Sequence, residues 1–137
     1  MNAIKIFSDG AARGNPGDAA IGVRILDDSG RCVKDVSIAI GQTTNNVAEY
    51  TALVYGLQSA LVLRAESVQV FCDSELVVKQ ILGDYKVKDD KLKPLFLLAQ
   101  HLISEIKSFK IKHVSREENG EADRLANEAL DSVNSKL

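Results

Sequence analysis

The feature that most constrains the fold is a change in the spacing of apolar residues near residue 43. Before it, apolar and polar side chains alternate, as in residues 19–26, which is the pattern of half-buried strands. Residues 3–9, 19–26 and 33–40 are therefore predicted to form three strands joined as an antiparallel meander. From 44 to 63 apolar residues recur every three or four positions, which predicts a long helix.

Strand-like and helix-like segments alternate through the rest of the chain. Short apolar runs at 68–72 and 109–114 predict two more strands, and helical spacing marks 76–82, 92–106 and 122–130. This order predicts an α/β fold with a five-stranded mixed sheet. In that sheet three antiparallel strands precede parallel ones, and helices cover both faces.

The length and the apolar pattern indicate one soluble domain. We place the domain at residues 1–131 and a frayed tail at 132–137. No apolar run reaches the roughly 20 residues of a membrane span, and the N-terminus lacks the apolar stretch of a signal peptide. Cys32 and Cys72 lie in separate apolar runs and are predicted to be buried free thiols. We therefore expect a cytoplasmic monomer with no membrane partner.

Charge gives a local rather than a global signal. The net charge of -2 excludes a protein that holds nucleic acid by overall positive charge. Asp9 and Asp73 end predicted strands, while Glu49 and Asp123 lie among apolar helix residues. Any one of them is adequately explained as a helix cap or a surface residue. If they cluster, their mutual repulsion requires a cation, and carboxylate oxygens favour Mg²⁺ or Mn²⁺ over Zn²⁺.

Four segments resemble the motifs of type 1 ribonuclease H. Residues 8–17, Ser-Asp-Gly-Ala-Ala-Arg-Gly-Asn-Pro-Gly, resemble the opening motif of that family. Residues 43–49, Thr-Thr-Asn-Asn-Val-Ala-Glu, resemble its helix-start motif, and 72–74, Cys-Asp-Ser, its strand-end Asp-Ser. Residues 118–126 resemble its C-terminal motif. The four segments follow the order of the family and together cover residues 5–130.

The resemblance implies a ribonuclease H-like fold and an endonuclease that hydrolyses the RNA strand of RNA/DNA hybrids, leaving 5′-phosphate and 3′-hydroxyl ends. It assigns Asp9, Glu49, Asp73 and Asp123 as the catalytic residues and as the ligands of two Mg²⁺ ions, for which Mn²⁺ can substitute. Asp9 is expected to bridge the ions, Glu49 and Asp73 to complete the leaving-oxygen site, and Asp123 to help hold the ion that activates water. Two ions about 4 Å apart serve both tasks.

Recognition of RNA requires contacts to the ribose 2′-hydroxyl, which separates RNA from DNA. The resemblance assigns this task to the segment after the first strand and to the Asn pair at the helix start. Small residues there allow close backbone approach, and amides offer donors and acceptors. A helix cap is the alternative role for the Asn pair. The expected substrate-binding residues are Gly10, Ala11, Ala12, Asn15, Asn45, Asn46, Glu75 and Arg116.

Many relatives carry a mobile histidine between the last strand and the last helix, where it assists product departure or proton transfer. Ten residues before Asp123 lies His113, but strand alternation predicts that it belongs to the sheet core or to a strand end. A gapped alignment instead places Arg116 at this point, and we favour Arg116 as the functional substitute. Glu75 also departs from the family, because many relatives carry Gln near that position.

A second departure is the absence of the basic, aromatic-rich protrusion with which larger family members grip the hybrid. Only residues 83–93 separate the two helical patterns here, and their four lysines are offset by three aspartates. The chain also contains no tryptophan for base stacking. We expect weak, salt-sensitive hybrid binding. A solvated linker and a duplex contact are both open as roles for these lysines.

Two alternative functions come from other classes. One is a hybrid-binding module with weak activity, which the presence of all four acids disfavours. The other is a nuclease-fold relative acting on DNA or duplex RNA, such as a transposase or integrase core. Those proteins usually carry longer insertions and basic flanking domains, which 137 residues do not accommodate. Metal-dependent cleavage of a hybrid distinguishes the three.

Overall fold

Strand β1 is the centre of the fold. The structure, a computed structural model, describes residues 2–135, which form a five-stranded sheet and four helices. The elements are β1 (Ala3–Gly14), β2 (Gly17–Leu26), β3 (Cys32–Thr43), α1 (Asn45–Val62), β4 (Ser67–Cys72), α2 (Glu75–Leu82), α3 (Lys93–Ser104), β5 (Ser108–His113) and α4 (Gly120–Ser135).

The sheet has the order β3-β2-β1-β4-β5. β1 pairs with β2 and β2 with β3 in antiparallel register, because short turns join these strands. β1 pairs with β4 and β4 with β5 in parallel register, across helical connections. The predicted mixed sheet, with three antiparallel strands followed by parallel ones, is confirmed.

Helices pack on both faces, as predicted. On one face α1 and α3 cover the main core, in which Ile6, Val23 and Leu53 are almost fully buried. On the other face α4 lies across β1, β2 and β3. α4 comes so close at Gly22 that a Cβ atom there would stand 2.0 Å from the carbonyl oxygen of Ala122. Only glycine fits at this crossing.

The glycine-rich segment 10–17 is a hairpin rather than the loop that its composition predicts. β1 continues to Gly14 and pairs with β2 as far as the Gly14–Gly17 pair. Gly10 has no room for a side chain because α1 lies against the strand at that point. A Cβ atom on Gly10 would lie 2.1 Å from the carbonyl carbon of Ala48 in α1. The ladder with β2 outweighs the local preference of glycine for turns.

The predicted C-terminal tail and one of the two cysteines differ from the structure. α4 continues to Ser135, so residues 132–135 of the predicted tail have helical backbone; they contain no glycine or proline to end the helix. Residues 136 and 137 lie outside the described residues. Cys72 is buried as predicted, but Cys32 is exposed because it begins the edge strand β3. Among residues 2–135, no helix is long and apolar enough to cross a membrane.

Candidate active site

Three carboxylates meet at the end of the parallel strand pair. Ser8 of β1 is opposite Cys72, the last residue of β4, so Asp9 of β1 lies beside Asp73, which directly follows β4. Glu49 comes from the beginning of α1, whose backbone contacts Gly10. One oxygen from each of the three carboxylates lies within 4.8 Å of the others. The topology therefore brings together three acids that are far apart in sequence.

Asp123 reaches the same cavity from α4. The cavity has a volume of about 660 Å³ and is lined by all four acids. The backbone of Asp123 makes two hydrogen bonds. Its N–H donates to the Asn119 carbonyl at 3.1 Å, and its carbonyl accepts from Asn127 Nδ2 at 2.9 Å. All four residues assigned as catalytic therefore line one cavity.

The environment opposes ionisation of the two most buried acids. Burial, followed by the charges of Glu49, Asp73 and Asp123, holds the pKa of Asp9 well above its usual range. Burial likewise raises the pKa of Glu49, against the hydrogen bond that Gly10 N–H donates to Glu49 Oε1 at 2.8 Å. Asp9 and Glu49 are each 5% exposed. A bound cation would reverse this penalty by compensating the negative charges.

The donor set fits a hard divalent cation. Asp9, Glu49 and Asp73 offer only carboxylate oxygens, which are the ligands that Mg²⁺ and Mn²⁺ prefer. Neither of the two cysteines belongs to this cluster. The residues present therefore suit an oxygen-ligated ion rather than a thiolate-ligated one.

The expected substrate-binding residues divide into two groups. Those that line the cavity are Gly10, Ala11, Ala12, Asn45 and Arg116.

The other three, Asn15, Asn46 and Glu75, are not among the cavity-lining residues. Asn15 Oδ1 accepts a hydrogen bond from Asn45 N at 3.0 Å, so it joins the β1–β2 hairpin to the start of α1. Glu75 forms an ion pair with Lys79, with 3.3 Å between Oε1 and Nζ, and borders a groove between α2 and β5. The contacts predicted for these residues remain predictions.

The side chain that caps α1 is Thr44, not either asparagine. Thr44 Oγ1 accepts a hydrogen bond from Val47 N at 3.3 Å. The alternative role of the Asn45-Asn46 pair as the helix cap is therefore wrong. Asn45 is left exposed at the cavity wall, where its amide is available to a ligand.

His113 and Arg116 both line the cavity. His113 is the last residue of β5, and its Nε2 lies 3.3 Å from the Asp73 carbonyl oxygen. Strand alternation placed it in the sheet core or at a strand end; it lies at the strand end and is exposed, because β5 is an edge strand. Arg116 lowers the pKa of Glu49, which opposes the effect of burial.

Two residues that shape the cavity were not predicted from the sequence. Arg13 lines it from β1, and Asn127 lines it from α4. A periodic signal was available for both, since Arg13 follows Asp9 by two strand repeats and Asn127 follows Asp123 by one helical turn. The turn at 10–17 predicted from composition concealed the first of these relationships.

Known proteins share this chain's sequence and fold. Residues 7–129 match the family model described as "Reverse transcriptase-like". The bifunctional protein Rv2228c of Mycobacterium tuberculosis is 42% identical over 131 residues, which are 95% of this chain and 36% of that protein. The chain thus spans about a third of the length of the first curated relatives it matches.

Solved structures match over nearly their whole length. RNase H1 from the archaeon Halobacterium salinarum superposes with a TM-score of 0.93 at 38% identity, covering 96% of this chain and 99% of that one. LC11-RNase H1, isolated from compost and solved with an RNA/DNA hybrid, has a TM-score of 0.89 at 44% identity, covering 95% and 98%. With this similarity over the whole fold, and four acids at one cavity, the chain belongs to the ribonuclease H family.

Proposed function

We propose that this protein is a metal-dependent endonuclease that hydrolyses the RNA strand of RNA/DNA hybrids and leaves 5′-phosphate and 3′-hydroxyl ends. The observation that carries the proposal is the cluster of Asp9, Glu49 and Asp73, with oxygens within 4.8 Å, in a cavity that Asp123 also lines. The relative LC11-RNase H1, 44% identical, is described in complex with an RNA/DNA hybrid. The acid cluster supports hydrolysis rather than a binding role alone, and the complex of the relative supports the hybrid as the substrate.

Mg²⁺ is the proposed cofactor, with two ions per site and Mn²⁺ as a substitute. Asp9, Glu49, Asp73 and Asp123 would hold the ions. When bound, such ions activate water and stabilise the leaving oxygen in phosphodiester hydrolysis. The oxygen-only donor set and the raised pKa values of Asp9 and Glu49 support a divalent cation over a neutral ligand.

The chain's own residues hold the carboxylates and shape the approach to them. Gly10 N–H donates a hydrogen bond of 2.8 Å to Glu49 Oε1 and so helps to hold this carboxylate beside Asp9 and Asp73. Gly10, Ala11 and Ala12 carry little or no side chain, so a nucleic-acid backbone can approach β1 closely. Asn45 presents an exposed amide at the same wall. This amide can donate a hydrogen bond to a 2′-hydroxyl or accept one from it.

The proposed partner is the RNA/DNA hybrid duplex, bound by a monomer in the cytoplasm with no membrane partner. The monomeric state and the location rest on the amino-acid sequence alone. The hybrid is supported by the small residues along β1 and by the two arginines, Arg13 and Arg116, that line the same cavity as the acids.

Cleavage of strand-labelled substrates tests the proposal. Hybrid, duplex RNA and duplex DNA are incubated with Mg²⁺, with Mn²⁺ and with chelator, and the ends of the products are mapped. We expect cleavage of the RNA strand of the hybrid only when an ion is present, with 5′-phosphate ends. Binding of the hybrid without cleavage, or cleavage of duplex DNA in preference to the hybrid, contradicts the proposed function.

A further inference from the structure

A groove leads away from the carboxylates between β1 and α4. One wall is a single face of β1, formed by Asp9 and Arg13 with Ala11 between them. The other wall is a single face of α4, on which Asp123, Asn127 and Leu130 succeed one another.

Ala11 packs against the small cluster of Ala20, Ala129 and Leu130 under this groove. Its methyl group leaves the floor open between the acids and Arg13. The cavity is therefore elongated, with the acidic cluster at one end and a guanidinium at the other.

Arg13 is held in place but keeps most of its hydrogen-bonding capacity. Its Nη2 donates to Asp131 Oδ1 of α4 at 2.6 Å. Within residues 2–135 this is the one hydrogen bond that Arg13's side chain makes, although a guanidinium carries five N–H donors. The side chain of Arg13 is 40% exposed and that of Asp131 is 69% exposed. Such exposed pairs orient a side chain while contributing little to stability, so a phosphate can take the place of Asp131 at low cost.

The charge distribution favours a phosphate at this end of the groove. A polyanion whose backbone approaches four carboxylates is repelled except where a cation intervenes. Arg13 and Arg116 are the arginines that line the cavity, and the lining contains no lysine. Arg13 stands two strand repeats from Asp9, at the far end of the same face of β1. A nucleic-acid strand with one phosphate at the carboxylates can therefore place a phosphate farther along its backbone beside Arg13.

We propose that Arg13 binds a backbone phosphate of the bound nucleic acid, farther along the strand from the phosphate at the carboxylates, in the β1–α4 groove. This inference rests on the proposed function, because it takes the same cavity to be the site that receives the hybrid. Arg13 is a substrate-binding residue in this scheme, and Asp131 is a positioning residue that holds the guanidinium before the substrate arrives.

The test compares Arg13→Gln with Arg31→Gln. Arg31 is exposed in the turn between β2 and β3, at the opposite end of the β1–β2 hairpin, so the control removes the same charge far from the groove. Hybrid affinity is measured by fluorescence anisotropy in chelator, where no strand is cut, over a series of salt concentrations. We expect Arg13→Gln to weaken binding about tenfold at low salt and to reduce the salt slope by about 1.

Equal effects of the two variants, or no effect of Arg13→Gln, would overturn the inference. A melting temperature equal to the parent's shows that Arg13→Gln is folded. In cleavage assays the variant should raise KM and retain kcat, since the carboxylates are intact. A parent that binds the hybrid but never cuts it contradicts the proposed function and leaves the inference about Arg13 standing.

A second arm locates the phosphate. A series of hybrids, each with one neutral methylphosphonate linkage, is bound by the parent and by Arg13→Gln. At one linkage the neutral group should weaken binding to the parent and have little effect on binding to the variant, because the partner of that phosphate is already missing. If every linkage affects both proteins equally, Arg13 makes no defined phosphate contact and the proposal is wrong.

Discussion

Asn119 Nδ2 donates a hydrogen bond of 2.8 Å to the backbone carbonyl of Ser8, in a fully buried position. Ser8 immediately precedes Asp9, and the carbonyl of Asn119 accepts the hydrogen bond from Asp123 N. One residue thus ties the strand that carries Asp9 to the helix that carries Asp123. The distance between the Asp9 and Asp123 carboxylates therefore depends on Asn119, which carries no carboxylate itself.

Replacement of Asn119 by Ala should destabilise the protein and impair the site together. The Ser8 carbonyl would be left buried without its donor, which costs about 1–3 kcal/mol. Ser8→Ala is the matched control, because the Ser8 hydroxyl is buried and has no hydrogen-bond partner among residues 2–135. We expect that control to be neutral or stabilising. Urea denaturation measures the free energy of unfolding of both variants. A value for Asn119→Ala equal to that of the parent would show that the hydrogen bond contributes nothing to stability.

Asp9→Asn and Asp73→Asn should each lower kcat by about a thousandfold or more while preserving the fold, because the charge is lost but the side-chain volume is kept. In the absence of metal, Asp9→Asn should melt at a higher temperature than the parent, since the repulsion from Glu49 and Asp73 is removed. Asp84→Asn, at an exposed position outside the cavity, is the control. Turnover near the parental rate in either variant contradicts the assignment.

The metal-free protein should become less stable as pH rises. Asp9 and Glu49 have raised pKa values in the folded state, so above the ordinary carboxyl pKa of about 4 the folded state retains protons that the unfolded state has lost. Stability therefore declines from that pH until the raised pKa values are passed. Thermal melts in chelator across this range measure it, and Asp9→Asn should flatten the slope.

The same shifts predict that Mg²⁺ binding releases protons near neutral pH. Calorimetry in buffers of different ionisation enthalpy measures the number released. A binding enthalpy that does not depend on the buffer contradicts the raised pKa values. A pH-independent melting temperature in chelator contradicts them as well.

Hybrid affinity should be weak at low salt and should decline further as salt rises, with a slope that reflects only a few phosphate contacts. Residues 83–92 connect α2 to α3 without a basic protrusion, and Gln80 holds this connection through a hydrogen bond of 3.4 Å from Nε2 to the Lys86 carbonyl. Few phosphate contacts are then available beyond the cavity, and each contributes about 0.9 to the salt slope. Fusion to a basic hybrid-binding domain should restore affinity. Tight binding that is nearly independent of salt contradicts this expectation.

Replacement of Asn45 and Asn46 by Ala should slow hybrid cleavage far more than it weakens ion binding. The carboxylates remain, but loss of the polar contacts misaligns the scissile phosphate, and a displacement of about 1 Å can lower the rate about a hundredfold. Thr44→Ala is the matched control, because it removes the cap of α1 and keeps both amides. If the double variant retains its helix by circular dichroism and cuts at the parental rate, the 2′-hydroxyl must be sensed elsewhere.

Local sequence patterns predicted the elements whose period is long and regular. Helix α1 (Asn45–Val62) was predicted at 44–63, within one residue at each end, because its apolar spacing persists for five turns. The hairpin at 10–17 was not predicted, because the close approach of α1 at Gly10 is not contained in any local pattern. Gly14, with a φ of 108°, and Gly17 belong to the tight turn itself. Composition alone reads such glycines as a loop.

The acids of the site were predicted, but several neighbours were not. Asp9, Glu49, Asp73 and Asp123 each stand where the local pattern favours another residue type, but it was the resemblance to type 1 ribonuclease H that assigned them to one site. Arg13 lines the cavity because β1 extends beyond its apolar part. The Asn15 side chain instead accepts a hydrogen bond from Asn45 N at the start of α1. Both outcomes depend on pairing between distant segments, so they required the three-dimensional fold.

The contact between Gly10 and α1 has a consequence for how this site tolerates change. The distance from β1 to α1 is fixed at this point because main chain meets main chain, and Gly10 N–H holds Glu49 at the same point. A second close approach lies two to three turns along α1 at Gly56, where a Cβ atom would stand 2.8 Å from Ile6 Cγ2 of β1, but that contact is with a side chain. Any residue larger than glycine at position 10 would force the two backbones apart and separate the carboxylates. The separation of the two carboxylates is therefore set by a contact between two backbones, at Gly10.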